Sequence, residues 1–323
     1  MIKYVCTLFD SGYLLKGVVM LRTWFANCPE AQVFVLCMDV QCRRIISSLA
    51  LPGVSCIALA DVENTELLAV KIDRNVAEYC WTLSACLPAW VMDKYPDVDM
   101  VTYVDADLMF FSSVAPLFDE IGSSSIAIIE HRFTPRLQYL EANGRFCVEW
   151  VTFRRDREGL ACLRRWRDQC MEWCYARLEN GRMADQKYLD EWPERYSSVH
   201  VLQHPGAGLA PWNYPNYIIG RDNDGGIVVN GTPLIFYHFH QFQLMDNGRF
   251  DRVSAFYTLE KEVPEEIYHL YELQLRATIG DVRQIAPGLS SGMKSAAYIW
   301  SRRWVHQFLP RRLKEFLKRV VKY

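Results

Sequence analysis

The first hundred residues alternate between short apolar runs and amphipathic stretches, and that alternation constrains the fold more than any other feature. Residues 2–9, 32–38, 54–59 and 101–104 read as strands, and residues 14–24, 41–50 and 75–94 read as the helices between them. Pro88 is expected to bend or interrupt the last of these helices. Strands separated by helices imply βαβ units: a Rossmann-like α/β fold whose mixed, mostly parallel sheet is flanked by helices. Residues 126–130, 149–154, 227–229 and 234–239 add further strands, and residues 160–179 a long amphipathic helix. Residues 204–217 are rich in Gly, Pro and Asn, which suits an ordered active-site loop. From Pro264 onward the pattern is helical, so we expect a main domain over residues 1–260 and a helical, basic, amphipathic C-terminal region over 261–323.

The strand at 101–104 ends in Asp105-Ala106-Asp107. Alternation along an extended chain puts both acids on one side, beyond the carboxyl end of the strand, where open α/β sheets bind ligands. Two carboxylates so close repel, and a shared proton or a bound cation relieves them. Hard oxygen ligands suit Mg²⁺ or Mn²⁺, which can bridge a diphosphate. Taken alone the motif is so short that a strand-end turn with two solvated acids is the better explanation.

Composition narrows the context. With 323 residues and 50% hydrophobic content the chain can bury a large core. A formal net charge of −2 gives no global nucleic-acid signal. The 11 cysteines are scattered and never spaced as Cys-x-x-Cys, which favours reduced thiols and a cytosolic compartment. No run of about 18 apolar residues suggests a membrane span, and no leader pattern precedes the first strand.

Four further segments give the Asp pair a context. These are Cys6-Thr7-Leu8-Phe9-Asp10-Ser11-Gly12-Tyr13-Leu14, Ala184-Asp185-Gln186-Lys187-Tyr188-Leu189, Pro205 to Asn213, and Phe236-Tyr237-His238-Phe239-His240. In this order, with Tyr103-Val104-Asp105-Ala106-Asp107, they resemble the motifs of GT-A glycosyltransferases, most closely bacterial enzymes similar to glycosyltransferase family 8. The resemblance runs from Ile2 to about Phe242. It implies a nucleotide-diphosphate-sugar donor, bound through Thr7, Asp10, Asp105, Ala106, Asp107, Trp212 and Asn213. It also implies Mn²⁺ or Mg²⁺ held by Asp105, Asp107 and His238, with Asp185 and Gln186 as the catalytic pair beneath the donor sugar. His238 and His240 are two apart on a strand and point the same way, and the family register favours His238. Gln186 offers no strong carboxylate nucleophile, so the resemblance implies retention by a front-face route. Where relatives often carry Asn-x-Gly, this chain has Cys147-Val148-Glu149, which opens the question of the acceptor.

Residue types alone offer plainer roles for several of these positions. Asp10 can simply form a turn, Asp185 can cap a helix, and Trp212 and Asn213 can anchor their loop. Trp81 and Thr82 are expected in the core near the donor pocket.

The tail is a separate feature. Residues 294–323 carry nine Lys or Arg and one acid, Glu315. Two stripes, Trp300-Trp304-Phe308 and Leu313-Phe316-Leu317-Val320-Val321, accompany these charges at helical spacing. That pattern suits a helix lying on an anionic membrane surface. The expectation is therefore a cytoplasmic glycosyltransferase, peripheral at the inner face of the cytoplasmic membrane, with no nucleic-acid partner. It would glycosylate a hydroxyl of a glycan or glycolipid in surface polysaccharide or lipopolysaccharide synthesis. The rivals are a sugar nucleotidyltransferase, which would want a Gly-rich basic loop after the first strand, and a non-catalytic nucleotide-sugar-binding protein.

Overall fold

The computed structural model describes residues 2–253, 257, 259, 261–290, 292–295, 297–299 and 301. The expected tail helices, with Trp300, Trp304 and Phe308, fall almost entirely outside the described residues.

A seven-stranded sheet organises the molecule. Its strands are β1 (Lys3–Phe9), β2 (Ala31–Cys37), β3 (Val54–Ala58), β4 (Met100–Val104), β6 (Ile126–Glu130), β7 (Phe146–Arg154) and β8 (Val199–Leu202); β5 (Leu108–Phe110) lies outside it. Their order is β3-β2-β1-β4-β7-β6-β8, and only β7 runs antiparallel to its neighbours. Side chains along β2 alternate between two cores: Val33, Val35 and Cys37 enter one, Phe34 and Leu36 the other. This period-two division lets helices cover both faces.

On the first face lie α1 (Leu14–Asn27) and α2 (Val40–Leu49). Asp39 caps α2, its Oδ1 accepting from Cys42 N at 2.7 Å. After two short helices, α3 (Leu59–Val62) and α4 (Thr65–Lys71), comes α5 (Val76–Lys94) on the second face. Asn75 and Glu78 form a reciprocal capping box at its start, an arrangement worth about 1 kcal/mol. The helix runs unbroken through Pro88, contrary to the expected interruption. Its apolar residues face the sheet on one side and α7 (Arg157–Glu172) on the other, and that burial outweighs one missing N–H. α6 (Ala115–Ile121) and α8 (Trp192–Arg195) are short. The expected helix over 160–179 stops at Glu172, where Trp173 turns to extended backbone.

The late strands are small: β9 (Ile219–Arg221), β10 (Ile227–Val229), β11 (Thr232–Pro233), β12 (Phe236–His238), β13 (Gln243–Met245), β14 (Phe250–Asp251) and β15 (Met293–Lys294). The long α9 (Glu265–Ile285) buries Tyr268, Tyr271 and Leu275 in the same core as α1. Tyr271 stacks on Phe239 with ring centroids 3.6 Å apart. Residues 265–285 therefore share the sheet's core. Among the described residues no helix is long and apolar enough to cross a membrane.

Candidate active site

β4 delivers Asp105 and Asp107 to the carboxyl edge of the sheet, and two backbone bonds hold them there. Asp105 N donates to Glu149 O at 3.2 Å, and Asp107 O accepts from Phe239 N at 2.9 Å. Directly after the motif, β5 pairs antiparallel with β12 in a register that sets Leu108 opposite His238. That ladder brings a residue 131 positions later to the Asp pair. His238 Nε2 lies 3.0 Å from Asp107 Oδ1 and 3.9 Å from Asp105 Oδ2. The three side chains form a group that could hold a metal ion. Two carboxylates and an imidazole are a fitting donor set for Mn²⁺ or Mg²⁺.

The electrostatics are those of closely packed, mutually dependent charges. Burial raises the Asp105 carboxyl to about 7; the charge of His238 opposes this and Asp107 adds to it. Asp107 is also buried, but His238 and Lys16 outweigh desolvation and hold it below the ordinary carboxylate range. Lys16 is a buried lysine of α1, its Nζ 3.9 Å from Asp107 Oδ2 and 4.3 Å from the centre of the Tyr13 ring. Nothing in its sequence context marks it. His238 is raised above the usual imidazole range, with Asp107 and Glu149 overcoming its burial.

His238 and His240 both lie against Trp212, with centroids at 5.2 and 5.5 Å. Their partners differ, because His240 Nδ1 faces Tyr257 Oη at 2.6 Å. Burial depresses His240 to about 3.

A cavity of about 890 Å³ opens over this group. Asp10, Asp105, Ala106, Asp107, Asp185, Gln186, Trp212 and His238 all line it. Ser84 on α5 donates to Asp185 Oδ2 at 2.6 Å, and burial raises the Asp185 carboxyl to about 6 against that bond. Gln186 Nε2 donates to Asn143 O at 3.0 Å, which orients its amide. Trp81 reaches the cavity, whereas Thr82 is fully buried and bonded to Arg74. Among the described residues, Arg74 is the one Arg or Lys that lines the cavity. Its position before a helix cap gave no hint of this.

Two expected contacts are not on the cavity wall. Asn213 is fully buried, and its amide serves its own loop: Nδ2 donates to His131 O and Gly208 O, and Oδ1 accepts from Ala210 N. Thr7 is fully buried within β1. For Asn213 the loop-anchoring role is the one its bonds describe.

The Gly/Pro loop is stitched to β12. Ile235 N donates to Gly206 O at 2.7 Å and His238 N to Leu209 O at 2.7 Å. A Cβ on Gly206 would lie 2.0 Å from Pro233 O, so only glycine fits.

No family model matches the chain. Over 290 residues, 88% of this chain and 93% of the relative, it is 32% identical to the uncharacterized protein YfnD of Bacillus subtilis (strain 168). The chain belongs to the YfnD family. YfnF of the same organism is 28% identical to this chain over 292 residues, covering 87% of this chain and 94% of YfnF. Among solved structures, the galactosyltransferase LgtC in complex with donor and acceptor sugar analogs superimposes with a TM-score of 0.51 at 15% identity. That match covers 86% of this chain and 95% of LgtC. Likeness at this identity is one of fold, and the fold of this YfnD-family chain is that of GT-A glycosyltransferases.

Proposed function

We propose that this chain is a metal-dependent glycosyltransferase of the family 8 type, moving a hexosyl group from a nucleotide diphosphate donor to an acceptor hydroxyl. The observation that carries the reading is the convergence of Asp105, Asp107 and His238 in the same cavity as Asp185 and Gln186. A cavity of about 890 Å³ is of a size for a nucleotide sugar. A divalent cation bound by the three ligands would neutralise the diphosphate as it leaves. Lys16, behind Asp107, helps keep that carboxylate ionised and ready to bind. Asp185 would accept hydrogen bonds from donor-sugar hydroxyls, with Ser84 holding its second oxygen. Asp10, on the turn after β1, would contact the base or ribose, and Trp212 would pack against the sugar. Gln186 is an amide and a poor nucleophile, which favours retention by a front-face path.

The basic, aromatic stretch at 294–323 supports an acceptor presented at an anionic membrane surface, a glycolipid or growing surface glycan. The test of function is a thermal-shift screen of nucleoside diphosphates and their sugars, with and without Mn²⁺, followed by donor hydrolysis with the best hit. Stabilisation by one sugar nucleotide only with Mn²⁺, and turnover of it, is expected. Binding without any turnover would favour the non-catalytic rival.

A further inference from the structure

We infer that Glu149 is a positioning residue for the metal centre, holding the His238 ring so that Nε2 faces Asp105 and Asp107. The inference rests on the metal-dependent reading proposed above. Glu149 lies on β7, where pairing with β6 is irregular between Ala127 and Ile129. Side chains change face around this bulge: Cys147 enters the α1 core, while Val151 and Phe153 enter the α5 core. Bulges re-aim side chains in this way beside active sites. Here the result is a fully buried carboxylate whose Oε2 sits 2.6 Å from His238 Nδ1.

Arg132, whose Nη2 lies beside Gly208, donates to Ala207 O and makes no hydrogen bond to Glu149. Oε1 has no hydrogen-bond partner among the described residues. A Cβ on Gly208 would come within 2.9 Å of Oε1 and 3.2 Å of Arg132 Nη2, so the glycine, at φ +74, is what leaves the carboxylate room. A buried carboxylate with one orphaned oxygen costs the fold stability. Among the described residues, its side-chain hydrogen-bond partner is the histidine proposed to bind metal. With Nδ1 committed to Glu149, Nε2 is the nitrogen left for the Asp pair. A carboxylate behind a ligating imidazole fixes the ring's tautomer and orientation and makes the ring a better donor.

The test uses the full chain with Mn²⁺ as the probe. Glu149→Met should bind Mn²⁺ roughly 10–100-fold more weakly in a calorimetric titration. In the metal-free protein, NMR should show the His238 Nδ1 proton, held in the 2.6 Å contact with Glu149, moving upfield or being lost to exchange in the variant. Should that variant not fold, Glu149→Gln keeps the volume and carries the test, with a several-fold loss and an upfield move of the Nδ1 proton. Asp107→Ala, run in parallel, separates the two readings. Lost binding in Asp107→Ala with wild-type binding and an unmoved Nδ1 signal in the Glu149 variants overturns this inference and leaves the metal site standing. Undiminished Mn²⁺ binding in Asp107→Ala overturns both.

Discussion

Leu108 faces His238 across the short antiparallel ladder between β5 and β12, and this register sets the His238 ring 3.0 Å from Asp107. The candidate metal site is thus a product of strand pairing between segments far apart in the chain. A slip of one residue would turn the ring to the other face of the ladder.

Gly206→Ala places a methyl group against Pro233 O, where neither backbone can yield cheaply. The loss should be about 3 kcal/mol in a urea melt. Donor binding should weaken too, because the same loop pins His238 N. A variant as stable as wild type would show that the loop can move off β12.

His131 is buried with its ring stacked on Phe133, and burial depresses it to about 4. The unfolded chain takes up this proton near the ordinary value of about 6.5. Its contribution is therefore complete above pH 6.5 and is lost as pH falls towards 4, by about 3 kcal/mol. His131→Phe should flatten the acid limb of stability against pH. An unchanged limb would place the acid sensitivity elsewhere.

Asp185 behaves in the opposite sense. Its folded value of about 6 lies above the ordinary one, so ionising it costs stability as pH rises through 6. If the ionised form holds the donor sugar, kcat/KM climbs over the same interval. Ser84→Ala removes a bond to the charged form, so the ascending limb should move to higher pH and kcat/KM should drop roughly tenfold. A profile that ignores Ser84 would disconnect Asp185 from the reaction.

Much of this was legible from sequence. Short apolar runs between amphipathic stretches marked β1 to β4, and the apolar run preceding Asp105-Ala106-Asp107 marked the site, because local pattern encodes both. The motif order pointed to Asp185, Gln186 and His238, all of which the fold brings to one neighbourhood. What stayed hidden depends on long-range packing. Lys16 looks like any helix lysine until α1 is laid beside Asp107. Glu149 registered only as a departure from a motif, since its partner comes 89 residues later. Pro88 looked like a breaker because sequence does not show how completely α5 is enclosed.

The tail can be tested by truncation, and the fold says where to cut. Met293 and Lys294 pair with β13, and Gly292 packs directly on Gly12 of the turn after β1. Removing 302–323 spares these contacts, whereas removal from 294 would not. The truncated protein should keep its melting temperature and lose low-salt flotation with anionic vesicles, to which each Lys or Arg contributes about 1 kcal/mol. Equal flotation of both forms would exclude the tail as the anchor.

The most direct measurement is a calorimetric titration of nucleoside diphosphate into wild-type protein and Asp107→Ala, each with Mn²⁺ and with chelator. The account predicts binding by wild type that requires Mn²⁺, and none by a folded Asp107→Ala. Equal affinity with and without the metal, or undiminished binding by Asp107→Ala, would contradict it.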